Sequence, residues 1–183
     1  MEEIDDQGNP QQDFVILVDE DNRAIGQIAK MEAHIRPLLH RAFSVLIFNT
    51  DGQLLIQQRA LTKYHSPGKW SNSCCSHPRP GEATQQAADR RLMEELGFDA
   101  QLQEEFSFVY KFQDEDSGLW EHEHDTVFTG TYEGEIPFNA EEIMAVKWVE
   151  QEEMDRLLLE EPKTLTFWFK ILWKRYREEL TLN

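Results

Sequence analysis

Residues 81–98 read GEATQQAADRRLMEELGF, and this stretch carries the most specific pattern in the chain. Ala, Gln and Leu dominate it, so the sequence predicts a helix over residues 83–96 that ends at Gly97. Arg91 and Glu95 are four residues apart and therefore share one face of that helix. Helical spacing alone explains them equally well as a solvated surface ion pair or as part of a site.

The same stretch resembles the Nudix box, in which a loop glutamate precedes a helix with the pattern Arg-Glu-apolar-x-Glu-Glu-x-Gly-apolar. Glu82 takes the loop position, and Glu94 and Glu95 take the paired positions. Two positions depart: Ser76 stands where the box opens with Gly, and Arg91 stands where it has its first helical Glu. Hydrolases of that family use the helical carboxylates to hold divalent cations against a pyrophosphate. The resemblance therefore implies the fold, whereas Arg91 argues against hydrolysis.

A Cys-x-His pattern lies just upstream, in the stretch NSCCSHP over residues 72–78. In an extended strand Cys75 and His77 project from one face and Cys74 from the other. A thiol and an imidazole on one face can be metal ligands or catalytic groups. Taken alone, the pattern is weak, and a half-buried strand end is the better interpretation.

A dense acidic and histidine-rich run, EHEHD, occupies residues 121–125. Strand alternation places Glu121, Glu123 and Asp125 on one face and His122 and His124 on the other. The alternative interpretation is a solvated arm of a polar hairpin.

Two further histidines, His34 and His40, flank residues 35–39, which we expect to form a loop because they contain Pro37. Histidine is a common metal ligand, but scattered single histidines usually are not ligands.

Together these patterns resemble type 1 isopentenyl-diphosphate Δ-isomerases, which carry two upstream histidines, a Cys-x-His and a Glu-x-Glu in that order. The resemblance runs over nearly the whole chain from about Phe14. Short matching segments include residues 42–44, 58–61, 67–73, 77–78, 81–82 and 95–97.

The resemblance implies a metal centre with nitrogen and oxygen ligands. Such mixed ligands suit Mn, Fe, Co or Zn, and the sequence does not choose among them. The implied ligands are His34, His40, His77, Glu121 and Glu123.

A second ion, Mg²⁺, is implied on the substrate diphosphate, with Glu95 and the backbone carbonyl of Cys75 as its protein ligands. Mg²⁺ commonly uses one or two carboxylates together with substrate phosphates. Arg59, Lys63 and Arg91 match the basic positions that meet the diphosphate. Without the resemblance, Arg59 and Lys63 read as solvated surface cations.

The resemblance also implies the catalytic residues of a proton shift that moves a double bond. Cys75 and Glu123 match the two proton-transfer residues, and Tyr110 matches a tyrosine that supports the transfer near Glu123. Trp168 matches a tryptophan whose ring faces the developing carbocation. From the residues alone, Tyr110 reads as a strand aromatic and Trp168 as ordinary helix core.

Strand and helix signals mix along the chain without regular βαβ alternation, which indicates a mixed sheet with helices packed on its faces. We therefore predict an α+β, Nudix-type single domain over residues 13–183, after a flexible tail over residues 1–12. The strands are expected at Phe14–Val18 and at residues 42–49, 54–58, 69–76, 106–112, 123–132 and 145–149. Besides 83–96, helices are expected at residues 152–159 and 167–180.

Composition limits the possible partners. The formal net charge of −17 argues against nucleic-acid binding. The sequence contains no apolar run of about 18 residues, and the acidic start is not a signal peptide. Two adjacent cysteines exclude a secreted disulfide framework. We expect a cytoplasmic monomer that acts on a small prenyl diphosphate and binds neither nucleic acid nor membrane.

Three alternatives remain open from the sequence. The first is a Nudix hydrolase of a nucleotide or other pyrophosphate, which shares the fold and the need for a metal. The second is a non-catalytic metal-binding module on the same fold. The third is an isomerase of a longer prenyl diphosphate.

Overall fold

The fold is organised around one long buried strand, β3 (His40–Phe48). The computed structural model describes residues 13–63, 65–115 and 117–182, and the predicted tail over residues 1–12 lies outside them. Within these ranges nine strands form one sheet. The others are β1 (Phe14–Val18), β2 (Ala24–Ala29), β4 (Leu54–Arg59), β5 (Trp70–Ser71), β6 (Cys74–Ser76), β7 (Gln103–Gln113), β8 (Trp120–Thr131) and β9 (Ile143–Val149).

Strand β3 pairs in parallel with β8 along its whole length, and this register aligns His40 with Glu123. Its other pairings, with β1, β4 and β6, are antiparallel, so the sheet is mixed. The β6 register sets Cys75 opposite Ser44. Two of the sequence patterns singled out above therefore lie on strands that flank β3.

Helices cover both faces of the sheet. Along β3, Val45 and Ile47 belong to one apolar core and Leu46 to another, because successive strand residues point to opposite faces. The first core includes helix α2 (Thr84–Leu96), and the second includes helix α4 (Phe167–Leu182). The remaining helices are α1 (Lys30–Ile35), α3 (Gln151–Glu160) and a 3₁₀ turn over Pro162–Thr164.

The predicted α+β class, with a mixed sheet between helices in a single domain, is confirmed. The predicted strand at Phe14–Val18 has the predicted bounds, and the helix over residues 83–96 begins one residue later than expected. The extended segment over residues 69–76 divides into β5 and β6. No helix in the described ranges is long and apolar enough to cross a membrane.

The sequence analysis missed β2 and α1. Most of β2 is exposed on both faces, so it lacks the apolar alternation that indicates a strand. Helix α1 spans only six residues, which is too short for a helical period to stand out.

The end of α2 supplies a test of close packing. Gly97 has a φ of 77° and its N–H donates to the carbonyl of Met93. A Cβ at Gly97 would lie 2.8 Å from both Cγ and the carbonyl oxygen of Pro137. Gly52 has a similar φ of 80°, but a Cβ there would meet nothing within 4 Å.

We predict that Gly97→Ala destabilises the protein more than Gly52→Ala. Both changes place a side chain in the left-handed region, which costs about 1–2 kcal/mol. Only Gly97→Ala adds overpacking against Pro137, for which we expect roughly 1–3 kcal/mol more. Urea unfolding of both variants measures the difference, and equal loss of stability would contradict the close contact.

Candidate active site

One cavity collects most of the side chains that the sequence analysis selected. It opens beside β3 and is walled by β6, β8 and the start of α4. The selected residues that line it are His34, Arg59, Lys63, Cys75, His77, Arg91, Tyr110, Glu121, Glu123 and Trp168. Two selected residues lie behind this lining. His40 is fully buried with Nε2 3.5 Å from Glu123, and Glu95 contacts Arg91.

The histidines and glutamates form one compact cluster. Potential ligand atoms of His34, His40 and His77 lie within 4.8 Å of one another, as do those of His40, Glu121 and Glu123. The residues come from α1, β3, β8 and the segment after β6, so tertiary folding assembles the cluster. Such a set of imidazole and carboxylate groups could hold a metal ion.

Backbone carbonyls orient two of the imidazoles. Nδ1 of His34 lies 2.8 Å from the carbonyl oxygen of Trp120, and Nδ1 of His40 lies 2.8 Å from that of Leu38. Because a carbonyl only accepts hydrogen bonds, Nδ1 carries the proton in both rings. Each Nε2 then presents a lone pair. This is the usual arrangement of metal-binding histidines, whose other nitrogen donates to a carbonyl or carboxylate.

Burial favours the neutral form of His34 and of His77 at ordinary pH. It lowers the pKa of His34 to about 4, and the nearby His40 adds to that effect. It lowers the pKa of His77 to about 3, against the opposing influence of Glu123. A metal ligand must be deprotonated, so neutral imidazoles suit an ion-binding role.

The two carboxyl groups are in different states although they lie side by side. Burial and the charge of Glu123 raise the pKa of Glu121 well above its usual range. Burial alone would raise the pKa of Glu123 too. The lowering of its pKa well below the usual range depends on His40 and His77, whose rings stabilise the carboxylate when they carry a proton on Nε2. These opposite shifts favour the ionised form of Glu123, and a bound cation would favour the ionised form of Glu121 as well.

Glu123 is also the hydrogen-bond centre of the cavity. Nε2 of His77 lies 2.8 Å from Oε1, and the Tyr110 hydroxyl donates to Oε2 at 2.6 Å. Burial raises the pKa of Tyr110 well above its usual value, so the hydroxyl keeps its proton.

The adjacent cysteines have separate environments, as strand alternation predicts. Cys74 is fully buried in the core with α2, whereas Cys75 is half-buried and lines the cavity. Burial raises the pKa of the Cys75 thiol to about 12, so it stays protonated.

A buried polar segment just before β6 fixes the position of these cysteines. Ser73 Oγ donates to the carbonyl of Leu55 at 2.7 Å, and Asn72 Nδ2 donates to that of Cys74 at 2.7 Å. Ser71 Oγ accepts from the indole Nε1 of Trp168 at 3.0 Å, which fixes the plane of that ring. The segment thus ties β6 to β4 and α4.

Arg91 points inward rather than to solvent. Its Nη2 donates to Glu95 Oε1 and to Glu142 Oε2, both at 2.6 Å. The Arg91 and Glu95 side chains are 18% and 7% exposed, so the solvated surface pair is the wrong interpretation for them. Burial alone would lower the pKa of Arg91, but Glu95 and Glu142 outweigh it and raise that pKa. The other oxygen of Glu95 accepts from Gln57 Nε2 at 2.9 Å.

Three residues near the cavity were missed by the sequence analysis. Lys30 lines the cavity and lies four residues before His34 on α1, so recognising that helix would have indicated it. Glu142 accepts from both Lys63, at 2.7 Å, and Arg91. His65 lines the cavity beside Glu121. Neither Glu142 nor His65 belongs to a sequence motif or a periodic pattern, so no sequence signal indicated them.

Comparison with known proteins agrees with this geometry. A NUDIX domain model matches residues 38–169. The chain is 48% identical over 172 residues to isopentenyl-diphosphate Delta-isomerase 2 of Aromatoleum aromaticum, covering 94% of this chain and 90% of that protein. This chain belongs to the isopentenyl-diphosphate Delta-isomerase family, on a NUDIX domain. An isopentenyl-diphosphate Delta-isomerase of Serratia proteamaculans is 44% identical over 162 residues, covering 88% of this chain and 90% of its own.

Solved structures show that this isomerase family member has the Nudix fold predicted from residues 81–98. DR0079 from Deinococcus radiodurans superposes with a TM-score of 0.74 at 22% identity, covering 89% of this chain and 98% of that one. A MutT protein from Methanosarcina mazei superposes with a TM-score of 0.63 at 20% identity. The match covers 77% of this chain and 94% of that one. At these identities the likeness establishes the fold alone.

We predict that Glu142→Gln destabilises this family member. Without its carboxylate, the Lys63 and Arg91 cations lose a shared partner, and their partial exposure moderates the cost to about 1–3 kcal/mol. Urea unfolding measures the loss. Glu141→Gln, an exposed neighbour, is the matched control and should stay within about 0.5 kcal/mol of the parent protein. Equal stability of the two variants would contradict the bridging role.

Proposed function

We propose that this protein interconverts isopentenyl diphosphate and dimethylallyl diphosphate, a step of isoprenoid biosynthesis. The observation that carries the proposal is a single cavity in which Cys75 and Glu123 accompany the histidine and glutamate cluster. The names of relatives at 44–48% identity support the same reaction. The hydrolase alternative is not favoured, because Arg91 occupies the position of a helical metal-binding carboxylate.

The reaction is a 1,3 proton shift, which needs one group that gives a proton and one that takes a proton. Protonation of the terminal alkene carbon forms a tertiary carbocation, and removal of a proton from the other side forms the new double bond. A thiol with a pKa of about 12 carries a proton, and a carboxyl group with a depressed pKa is unprotonated and has a site for one. These states support Cys75 and Glu123 as the two proton-transfer residues.

Tyr110 and Trp168 have supporting roles in this proposal. The Tyr110 hydroxyl donates a hydrogen bond to Glu123, so it orients that carboxylate and supports proton transfer there. The Trp168 indole, held through Ser71, offers a π face to a carbocation that has no hydrogen-bonding group. Both aromatic residues also exclude water from the cation.

A divalent metal completes the centre, with His34, His40, His77, Glu121 and Glu123 as ligands. The donor set and the carbonyl-oriented imidazoles fit Mn, Zn, Fe or Co. When bound, the ion supplies a positive charge that lowers the proton affinity of Glu123.

The diphosphate occupies the basic side of the cavity in this proposal. Arg59, Lys63 and Arg91 bind its oxygens, and Glu95 and the backbone carbonyl of Cys75 would hold a Mg²⁺ that accompanies it. Each carboxylate oxygen has two lone pairs, so Glu95 can keep its Arg91 and Gln57 hydrogen bonds and still contact a cation. We further propose a cytoplasmic monomer without a nucleic-acid or membrane partner.

The first test is turnover of isopentenyl diphosphate in heavy water with Mn²⁺ and Mg²⁺. NMR follows the double-bond position and deuterium uptake together. We expect dimethylallyl diphosphate from the parent protein, and about 10²–10⁴-fold less from Cys75→Ala and Glu123→Gln, because each removes a proton-transfer group. Cys74→Ala, which changes a cysteine outside the cavity, should stay active.

Folded, metal-loaded protein that gives no isomerisation would overturn the proposal. Release of inorganic phosphate from a nucleotide panel would then favour the hydrolase. Metal binding without turnover on any diphosphate would favour the non-catalytic module.

A second test addresses Tyr110. Tyr110→Phe keeps the ring but removes the hydroxyl that bonds the Glu123 carboxylate, so we expect kcat to fall about 10- to 100-fold. Steady-state kinetics measures the change. Tyr132→Phe is the control, because its hydroxyl bonds the carbonyl of Glu135, and Tyr132 belongs to the core with α2. Equal kcat in Tyr110→Phe and the parent protein would refute the supporting role.

A further inference from the structure

His65 is a buried histidine to which the metal centre described above gives no role. It lies between β4 and β5 and is only 4% exposed. Its Nε2 lies 3.3 Å from Glu121 Oε1, and its ring centroid is 4.9 Å from that of His34. At this distance the two groups are in contact, and a small rotation of either side chain would let the imidazole N–H donate to the carboxylate.

The carboxylate of Glu121 faces a different histidine with each oxygen. Oε2 lies 3.5 Å from Nδ1 of His34, whereas Oε1 faces His65. When one oxygen of a buried carboxylate binds a metal, the other oxygen needs a hydrogen-bond donor. Without that donor the second oxygen is buried and unsatisfied, and the carboxylate loses its fixed orientation. Among the described residues, His65 lies at the required position.

The location of His65 within the cluster favours an indirect role. Its ligand atom groups with those of His34 and Glu121, whereas His40 groups with both carboxylates and also with His34 and His77. His65 therefore lies on the outer, Glu121 side of the cluster. The five proposed ligands already include a histidine that contacts each glutamate.

The neighbouring backbone fixes His65 in place. The Nε of Arg59 donates to the carbonyl oxygen of His65 at 3.1 Å, and Gln58 Nε2 donates to the carbonyl of Gly68 at 2.9 Å. These two hydrogen bonds anchor the carbonyls of His65 and Gly68 to side chains of β4, so the backbone of His65 is held beside the site.

We propose that His65 is a positioning residue of the metal centre, whose Nε2–H donates to Glu121 Oε1 and holds Oε2 toward the ion. The proposal rests on the proposed metal site and not on the isomerase reaction. Loss of such an outer partner typically costs about 10- to 100-fold in metal affinity. The ligands themselves, and their number, should not change.

The test measures metal binding by the full chain without substrate. Competition titration gives the Co²⁺ and Mn²⁺ affinities, and the visible spectrum of bound Co²⁺ reports the ligand set. We expect His65→Phe to bind about 10- to 100-fold more weakly with an unchanged Co²⁺ spectrum. His65→Gln, whose amide can donate to Glu121, should recover most of the affinity.

His124→Phe is the matched control. His124 is a second buried histidine on β8, outside the clusters of potential ligands in the described residues, so its replacement should leave the affinity near that of the parent protein. If His65→Phe loses its cooperative unfolding transition, His65→Ala removes the same donor without adding bulk and is measured in its place.

Three outcomes would overturn the proposal. The first is an unchanged affinity in the folded His65→Phe or His65→Ala variant. The second is a changed Co²⁺ spectrum in the His65 variants, which would make His65 a direct ligand. The third is a parent protein that binds neither ion. Because no turnover is measured, failure of the isomerase assay leaves this result interpretable.

Discussion

The carboxylate of Glu123 is the constraint around which the site is arranged. An ionised group that is only 8% exposed is stable only if donors or cations surround it. The fold supplies His77 from the segment after β6 and Tyr110 from β7 as donors, and it places His40 of β3 3.5 Å from the carboxylate. The full-length parallel pairing of β3 with β8 makes this possible, because it aligns His40 with Glu123. A slip of one residue would turn Glu123 to the opposite face of the sheet.

Arg91 marks the position at which this helix departs from the Nudix box. In place of one more metal-binding carboxylate, it adds a guanidinium that bonds Glu95 and Glu142. Its positive charge partly neutralises these two carboxylates, and Lys63 places a second cation beside Glu142. A Nudix hydrolase from M. smegmatis shares the fold, and a fold by itself does not determine the reaction.

Sequence reasoning predicted the elements that carry a strong local signal. The helix ending at Gly97 has good helix formers and a glycine stop, and β1 is a run of apolar β-formers. It missed β2 and α1, where the first lacks alternation and the second is too short for a period. The omission of α1 matters for the site, because α1 carries Lys30 and His34.

The residues of the site likewise divide into those that the sequence analysis predicted and those that it missed. Strand spacing predicted that Cys75 and His77 share one face and that Cys74 takes the other, and the cavity is lined by the first two and not by Cys74. The family resemblance also selected residues that meet in space, although they lie as far apart in sequence as His34 and Glu123. Glu142 and His65 come from irregular segments, where one residue has no periodic partner to mark it. Their importance depends on which side chains they meet, and tertiary packing alone decides that.

The spread of the cluster along the chain has a mechanical consequence. An ion held by His34, His40, His77 and the two glutamates would tie four separate segments together and close a loop from residue 34 to residue 123. The two cysteines are neighbours and cannot join distant parts of the chain. The ion would therefore act as a reversible staple that restricts the unfolded chain, as a long-range disulfide does. Removing it would loosen the sheet as well as empty the site, so the supply of metal would help to set the lifetime of the folded protein.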